Sequence, residues 1–356
     1  MTDKDVKSKD DVYMSFNHNY SHCCFGTSVG FYIYQINPFQ KVLSRKIEGG
    51  ISLVKMLHES NIIIFVGSKD TGKYPNNKLI IWDDQKKSVL GEISYNSKVI
   101  NAFITKKHIV TLCEKKIYIY NFESLTLVKS INIDSTLGIM SIGLEESDFL
   151  IYPGSDIGTI SIIKMNLDYC DTIKAHTHPI ENLHLSNDGK YFVTASEKGT
   201  IIRIFSVENS NCIHEVRRGI DPSKIVDLKL SKDNSVLLVS SVKGTIHLYN
   251  TGISKTLTEK NKLFKGYGLK TVANLIPKIV RPGYVDSEWS FSQVYISNIS
   301  TNSTLDTDKK KIYSFGTDGQ FYEIDYNDTK KPKIEKVIRY ISEDSDPFSN
   351  RNSTIK

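Results

Sequence analysis

Two arginines stand side by side at Arg217 and Arg218, within Glu215-Val-Arg-Arg-Gly219. A guanidinium presents a planar fork of donors that grips phosphate oxygens two at a time. Two such cations next to each other repel unless an anion answers them. On either side in sequence lie two nearly identical segments, Thr194-Ala-Ser196-Glu-Lys198-Gly-Thr200-Ile and Val239-Ser-Ser241-Val-Lys243-Gly-Thr245-Ile. Each gathers a hydroxyl, a lysine, a glycine and a second hydroxyl into one tight turn, and hydroxyls with backbone N–H groups suit phosphate oxygens. The glycine allows positive φ and close backbone approach. An ordinary hairpin uses the same residues, so neither turn alone points to a ligand. The arginine pair between them changes that balance. Successive strand residues face opposite ways, so Arg217 is expected to lean toward the first turn and Arg218 toward the second.

Arg203 adds to the pattern. It interrupts the apolar strand Ile201-Ile-Arg-Ile-Phe205, and a guanidinium in such a place needs a partner, because an unpaired buried charge is costly. An internal carboxylate would serve, and so would a ligand phosphate beside Ser196 and Thr200. His247 is the analogous polar residue in the sister strand, one position out of register with Arg203. Enzyme chemistry has less support. His176 and His178, in Ala-His-Thr-His-Pro, have the look of a metal or base pair, but no carboxylate or cysteine stands at supporting spacing. No catalytic residue, metal or cofactor is expected.

The elements that must position these residues are short strands. Runs of Val, Ile, Tyr and Phe recur between Gly, Asn, Asp and Ser, whereas long amphipathic helical patterns are scarce. One strand type repeats, beginning at Gly30, Lys78, Lys116, Thr159, Thr200, Thr245 and Gln320. Most neighbours lie about 38 to 48 residues apart, the period of a four-stranded propeller blade. The last interval is about 75 residues, so one blade carries a long insertion, at about residues 251–289. Seven occurrences predict an all-β, seven-bladed β-propeller of degenerate WD repeats, in which Trp82-Asp83 is the one surviving Trp-Asp dipeptide. A β-sandwich would supply strands but not this period. A single propeller over 13–342 follows, with flexible tails at 1–12 and 343–356.

Composition narrows the class further. Among 356 residues, 39% are hydrophobic and 10% aromatic, enough to fill a core. A formal charge of +6, mixed along the chain, fits an acidic partner surface without indicating nucleic acid. The first eleven residues are too polar for a secretory signal, and no stretch approaches a membrane span. Five cysteines without metal spacing read as reduced thiols of a cytoplasmic protein. The insertion contains Lys262-Leu-Phe-Lys-Gly-Tyr-Gly-Leu-Lys-Thr-Val-Ala-Asn-Leu-Ile276. Apolar and aromatic residues interleaved with lysines suit a loop that dips into a lipid headgroup region.

Val216-Arg217-Arg218-Gly219 resembles the Phe/Leu-Arg-Arg-Gly motif of the PROPPIN family, autophagy-related propellers that bind phosphatidylinositol 3-phosphate and phosphatidylinositol 3,5-bisphosphate. The flanking Ser196 to Arg203 and Lys243 to His247 match the same family, as does Gly283-Tyr-Val-Asp-Ser-Glu-Trp289-Ser. The likeness spans all seven repeats and is strongest from Ala175 to Ser292. Val216 departs from it, standing where an aromatic or Leu is usual, which is expected to weaken packing of that strand. The resemblance implies a non-catalytic lipid effector with two pockets. Ser196, Lys198, Thr200, Arg203 and Arg217 would form the first, and Arg218, Ser241, Lys243, Thr245 and His247 the second. It further implies that Leu263, Phe264, Tyr267, Leu269 and Leu275 anchor the insertion in membranes. A loop carrying Pro75, Asn76 and Lys78 resembles the family's contact for an autophagy lipid-transfer protein.

On this reading the chain is a monomer in solution, peripheral on endosomal, vacuolar or pre-autophagosomal membranes. The alternative is a WD-repeat protein scaffold without lipid specificity. RNA binding lacks the stacked aromatics it needs beside the arginines.

Overall fold

The computed structural model describes residues 12–134, 138–145, 147–253 and 288–340. Its described residues form seven mainly antiparallel sheets, the blades of a seven-bladed β-propeller. Contacts divide the chain into two compact units, residues 1–138 and 139–356.

The first unit holds three blades. Their strands are Tyr13–Phe16, His22–Thr27, Gly30–Gln35 and Gln40–Lys46, then Ile51–Met56, Ile62–Gly67, Lys78–Asp83 and Ser88–Ser94, then Val99–Ile104, His108–Cys113, Lys116–Asn121 and Leu127–Asn132. Burial explains the strand order. All six residues of His108–Cys113 are buried, and five of six in Gly30–Gln35, whereas Gln40–Lys46 and Leu127–Asn132 face solvent with every other residue or more. The middle strands are covered by sheets on both faces and read as apolar runs. The outer strands read as polar sequence. Phe31 and Phe65 pack with ring centroids 5.7 Å apart, joining the first two blades.

The Trp-Asp dipeptide has a local job here. Asp83 accepts the Asn61 side-chain amide at 2.5 Å and the backbone N–H groups of Gln85 and Lys86 at 2.9 and 3.1 Å, closing the turn into the outer strand. Asn121 closes the equivalent turn of the third blade through Glu123 and Ser124. Any short side chain with an acceptor oxygen does this work, so the dipeptide is free to drift.

The second unit holds four blades. Ser141–Ile142, Phe149–Pro153, Thr159–Lys164 and Tyr169–Lys174 make the fourth, and Ile180–Leu185, Tyr191–Ser196, Ile201–Ser206 and Cys212–Arg217 the fifth. The sixth is Ile225–Leu230, Val236–Ser241, Thr245–Asn250 and Ser292–Tyr295, and the seventh Thr301–Asp306, Lys311–Gly316, Gln320–Asp325 and Lys333–Arg339. The insertion therefore falls between the third and fourth strands of the sixth blade. Leu263, Phe264, Tyr267, Leu269 and Leu275 lie outside the described residues.

The far end of the insertion departs from expectation. Glu288–Trp289 is not loop but a short fifth strand, paired in parallel with Cys212–Arg217 of the preceding blade. Two paired residues complete the edge of that strand before the chain enters its own blade.

Candidate functional site

Arginine and turn meet through the pairing of two neighbouring strands. Cys212–Arg217 runs antiparallel to Ile201–Ser206 with Ile201 opposite Arg217, Ile202 opposite Val216 and Arg203 opposite Glu215. Residues opposite one another share a face. Arg217, Glu215 and Arg203 therefore lie together on one face, while Val216 and Ile202 face the other and are fully buried against Ile204, Ile225 and Leu228. Valine fills its place in that cluster completely.

The first group forms around Arg203. Its Nε donates to Glu215 Oε2 at 2.8 Å and its Nη1 to the Ala175 carbonyl at 2.6 Å. The sequence left open whether a carboxylate or a ligand meets this charge. Glu215 meets it. Beside it, His176 Nε2 and Thr194 Oγ1 are 2.9 Å apart. Burial, reinforced by the Arg203 charge, pushes His176 down to about 4, so the ring is neutral at pH 7. Ser196 is buried at the end of its strand, Thr200 is half-buried just before the next, and Lys198 is exposed on the turn. His176 thus belongs to this neighbourhood, as a neutral, buried ring rather than as part of a metal or base pair with His178.

The second group forms around Arg218, which follows the strand. Its backbone N–H donates to the Thr200 carbonyl at 2.9 Å. Its Nε donates to the Gly199 carbonyl at 3.0 Å, and its Nη2 to the Asp221 carbonyl. The side chain therefore grips the first turn, yet its charge acts on His247 and Tyr249 of the sister strand. Burial lowers the guanidinium pKa, an effect opposed by Tyr249 and Asp221. Among the described residues Arg218 makes hydrogen bonds to carbonyls but no ion pair, unlike Arg203. His247 is buried, with Nδ1 3.3 Å from Ser290 Oγ, and burial followed by the Arg218 charge pushes it down to about 4. Ser241 is buried, Thr245 half-buried and Lys243 exposed, matching their sister residues in the first turn.

The glycines of the two turns answer to the protein itself. Gly199 has φ +56° and Gly244 +73°. A Cβ at Gly199 would lie 2.0 Å from the Ser223 carbonyl oxygen, and one at Gly244 1.5 Å from that of Ser297. Close approach of the adjoining chain requires glycine at both positions, whether or not a ligand is near.

Sequence reasoning gave no individual role to Tyr249, His214, Glu288 or Trp289. Tyr249 donates its hydroxyl to the Arg217 carbonyl at 3.0 Å, tying the sixth blade to the arginine strand. His214 Nε2 lies 3.2 Å from Glu288 Oε2. Trp289 stands opposite Arg217 in the parallel pairing. A two-residue strand has no periodicity to detect, so only the Trp289-Ser290 match in the resemblance gave any signal.

In the second-blade loop the three residues differ in role. Asn76 is buried, and its side chain donates to Asp70 within the loop. Its backbone N–H donates to the Lys69 carbonyl at 2.7 Å. Asn76 therefore shapes the loop from inside, while Pro75 is half-buried and Lys78 pairs with Glu92 at 3.0 Å. Across the described residues no group of histidines, cysteines and carboxylates has the arrangement to hold a metal ion.

Comparison with known proteins agrees with this architecture. The chain is 31% identical over 303 residues to SVP1-like protein 2 of Pichia angusta, covering 82% of each chain. It is 30% identical over 248 residues to autophagy-related protein 18 of Dictyostelium discoideum, covering 69% of this chain and 66% of that one. Among solved structures, Kluyveromyces lactis Hsv2 with a complete loop 6CD superposes with a TM-score of 0.75 at 22% identity, over 92% of this chain and 99% of the other. The complex of KlAtg21 with the coiled coil of AgAtg16 gives 0.72 at 20% identity, over 94% and 98%. These two likenesses speak to the fold. The PROPPIN profile matches residues 12–329, nearly the whole described chain, and the protein belongs to the PROPPIN family.

Proposed function

We propose that this propeller is a non-catalytic phosphoinositide effector, binding phosphatidylinositol 3-phosphate and phosphatidylinositol 3,5-bisphosphate in two pockets and recruited to membranes in autophagy. Ser196, Lys198, Thr200, Arg203 and Arg217 contribute to the first pocket. Arg218, Ser241, Lys243, Thr245 and His247 contribute to the second. The observation that carries the reading is Arg218, a half-buried cation whose side-chain hydrogen bonds among the described residues go to carbonyl oxygens, beside a neutral, buried His247. Burying a charge without an ionic partner is unfavourable, and a phosphate monoester would supply that partner. Family membership and the autophagy-related relatives support the same assignment. Arg203, already paired with Glu215, serves to orient the first pocket more than to supply free charge.

The insertion residues Leu263, Phe264, Tyr267, Leu269 and Leu275 would add apolar anchoring at endosomal, vacuolar or pre-autophagosomal membranes. Protein docking is compatible with lipid binding, and KlAtg21 is seen in complex with a coiled coil. In this chain the second-blade loop carrying Pro75, with Asn76 holding it and Lys78 opening the strand that follows, is the proposed contact for an autophagy lipid-transfer protein.

Liposome flotation tests the assignment. Arg217→Thr with Arg218→Thr should abolish flotation with vesicles containing phosphatidylinositol 3-phosphate while the circular dichroism spectrum stays that of the wild type. Undiminished flotation of the folded double variant would leave the scaffold reading in its place.

A further inference from the structure

The segment Glu288–Ser290 touches both candidate pockets. Its two strand residues pair in parallel with the arginine strand, Glu288 opposite Val216 and Trp289 opposite Arg217. The Glu288 carboxylate lies 3.2 Å from His214 on that same strand, with both side chains mostly buried. Two residues later, Ser290 Oγ is 3.3 Å from His247 Nδ1 and also hydrogen-bonds Tyr249. Tyr249 in turn donates to the carbonyl of Arg217. The next N–H, of Phe291, donates to the Leu248 carbonyl at 2.9 Å and leads into the outer strand of the sixth blade. Within four residues the chain crosses from the edge of the fifth blade to the sixth, bonded to an element of each pocket on the way.

No comparable bridge joins the other outer strands among the described residues, each of which ends its own sheet. A two-residue parallel pairing contributes little stability by itself. Its value lies in placement, because it fixes the backbone of Arg217 and the ring of His247 with one rigid link. A pocket's affinity depends on donors held within about half an ångström of their working positions.

We propose that Glu288–Ser290 is a positioning segment shared by both pockets, so that head-group occupancy and the pairing of this segment are coupled. The proposal rests on the phosphoinositide reading above. Coupling of this kind is reciprocal: whatever the segment contributes to head-group affinity, the head group returns to the segment as protection from opening. Ser290 acts through His247, and Glu288 through His214 and the arginine strand. Neither needs to touch the ligand.

Hydrogen exchange on the full chain, with and without soluble inositol 1,3-bisphosphate, provides the test. Peptides spanning residues 288–292 should exchange at least about five-fold more slowly at saturation, the lower end of typical coupling. Calorimetry with the same head group should show Ser290→Ala and Glu288→Gln binding about three- to ten-fold more weakly, as for residues that modulate coupling without touching the ligand, with Ser290→Thr restoring affinity by restoring the hydroxyl. Should a substitution unfold the protein, the exchange measurement on the unaltered chain still decides. If the wild type takes up no head group, the phosphoinositide reading falls and the coupling with it. If it binds, but exchange at 288–292 is unchanged and both variants bind normally, the coupling alone is overturned.

Discussion

Arg218→Met separates a ligand-directed cation from a structural one. Met keeps the length and much of the apolar stem while removing the charge and the donors. In the wild type the guanidinium makes two side-chain bonds to carbonyls, Gly199 at 3.0 Å and Asp221. Hydrogen bonds to charged groups contribute about 1.5–3 kcal/mol each. Losing both is offset by no longer holding a cation in a half-buried site, so net destabilisation should stay below about 3 kcal/mol. Binding is affected differently. One lost charge-assisted contact to phosphate, at about 1.5–3 kcal/mol, corresponds to roughly 10- to 150-fold in affinity. Because the same side chain holds the first turn through Gly199, the pocket that remains should also bind more weakly than the one left by Arg217→Met. Titration calorimetry with soluble inositol 1,3-bisphosphate would read one head group per chain instead of two, and urea unfolding would read the stability. Wild-type affinity and stoichiometry in the variant, or a stability loss above about 5 kcal/mol with binding per folded molecule intact, would refute the reasoning.

Three further outcomes can be measured alongside it. His176 and His247 are held near 4 and His184 near 3, against an ordinary 6.5, all chiefly by burial. The unfolded chain therefore binds more protons than the folded one between about pH 6.5 and 4, and stability, fully present above 6.5, should fall by up to about 2 kcal/mol per histidine on going to pH 5; equal urea midpoints at pH 7 and pH 5 would contradict this. Gly244→Ala places a Cβ 1.5 Å from the Ser297 carbonyl oxygen at a positive φ, so it should cost more than about 3 kcal/mol in the same unfolding assay, and a loss under 1 kcal/mol would mean the turn yields easily. Replacing Leu263, Phe264 and Leu269 together with Ser should weaken liposome binding, since a fully buried Leu or Phe contributes about 1.5–3 kcal/mol, yet leave affinity for soluble head groups unchanged; loss of both would place the insertion in the pocket.

What the sequence revealed depended on how completely a strand is covered. The third strand of each blade announced itself because it is largely covered, on both faces in Thr245–Asn250 and with half-buried tyrosines on the second face of Lys116–Asn121, so these strands read as apolar runs at a fixed period. The outer strands were illegible for the converse reason, since Gln40–Lys46 has one half-hidden side and otherwise looks like loop. Ser141–Ile142 is too short to carry any pattern. At the site, residue types pointed to a neighbourhood, but pairings required register. Glu215 could be assigned to Arg203 only once the two strands were known to place them opposite each other. The side to which Arg218 turns was beyond alternation along a strand, because Arg218 lies past the strand's end and follows the carbonyls of Gly199 and Asp221. The turn glycines were correctly marked as special, but the close neighbour that demands them is the chain's own backbone.

The Glu288–Trp289 pairing also bears on solubility. A strand at the end of a sheet offers unpaired N–H and C=O groups to any extended chain, including another copy of itself. Cys212–Arg217 would be a ready template, with Ile213 exposed and no lysine along its length to discourage stacking. The short parallel strand caps this edge beside Val216 and Arg217, where the side chains of the proposed binding site must stay open while the backbone does not. Shortened versions of the protein should accordingly retain residues 288–290 when the insertion is cut back. Removing 254–287 alone should leave a monomer in light scattering, whereas a deletion extended through Ser290 should self-associate as concentration rises.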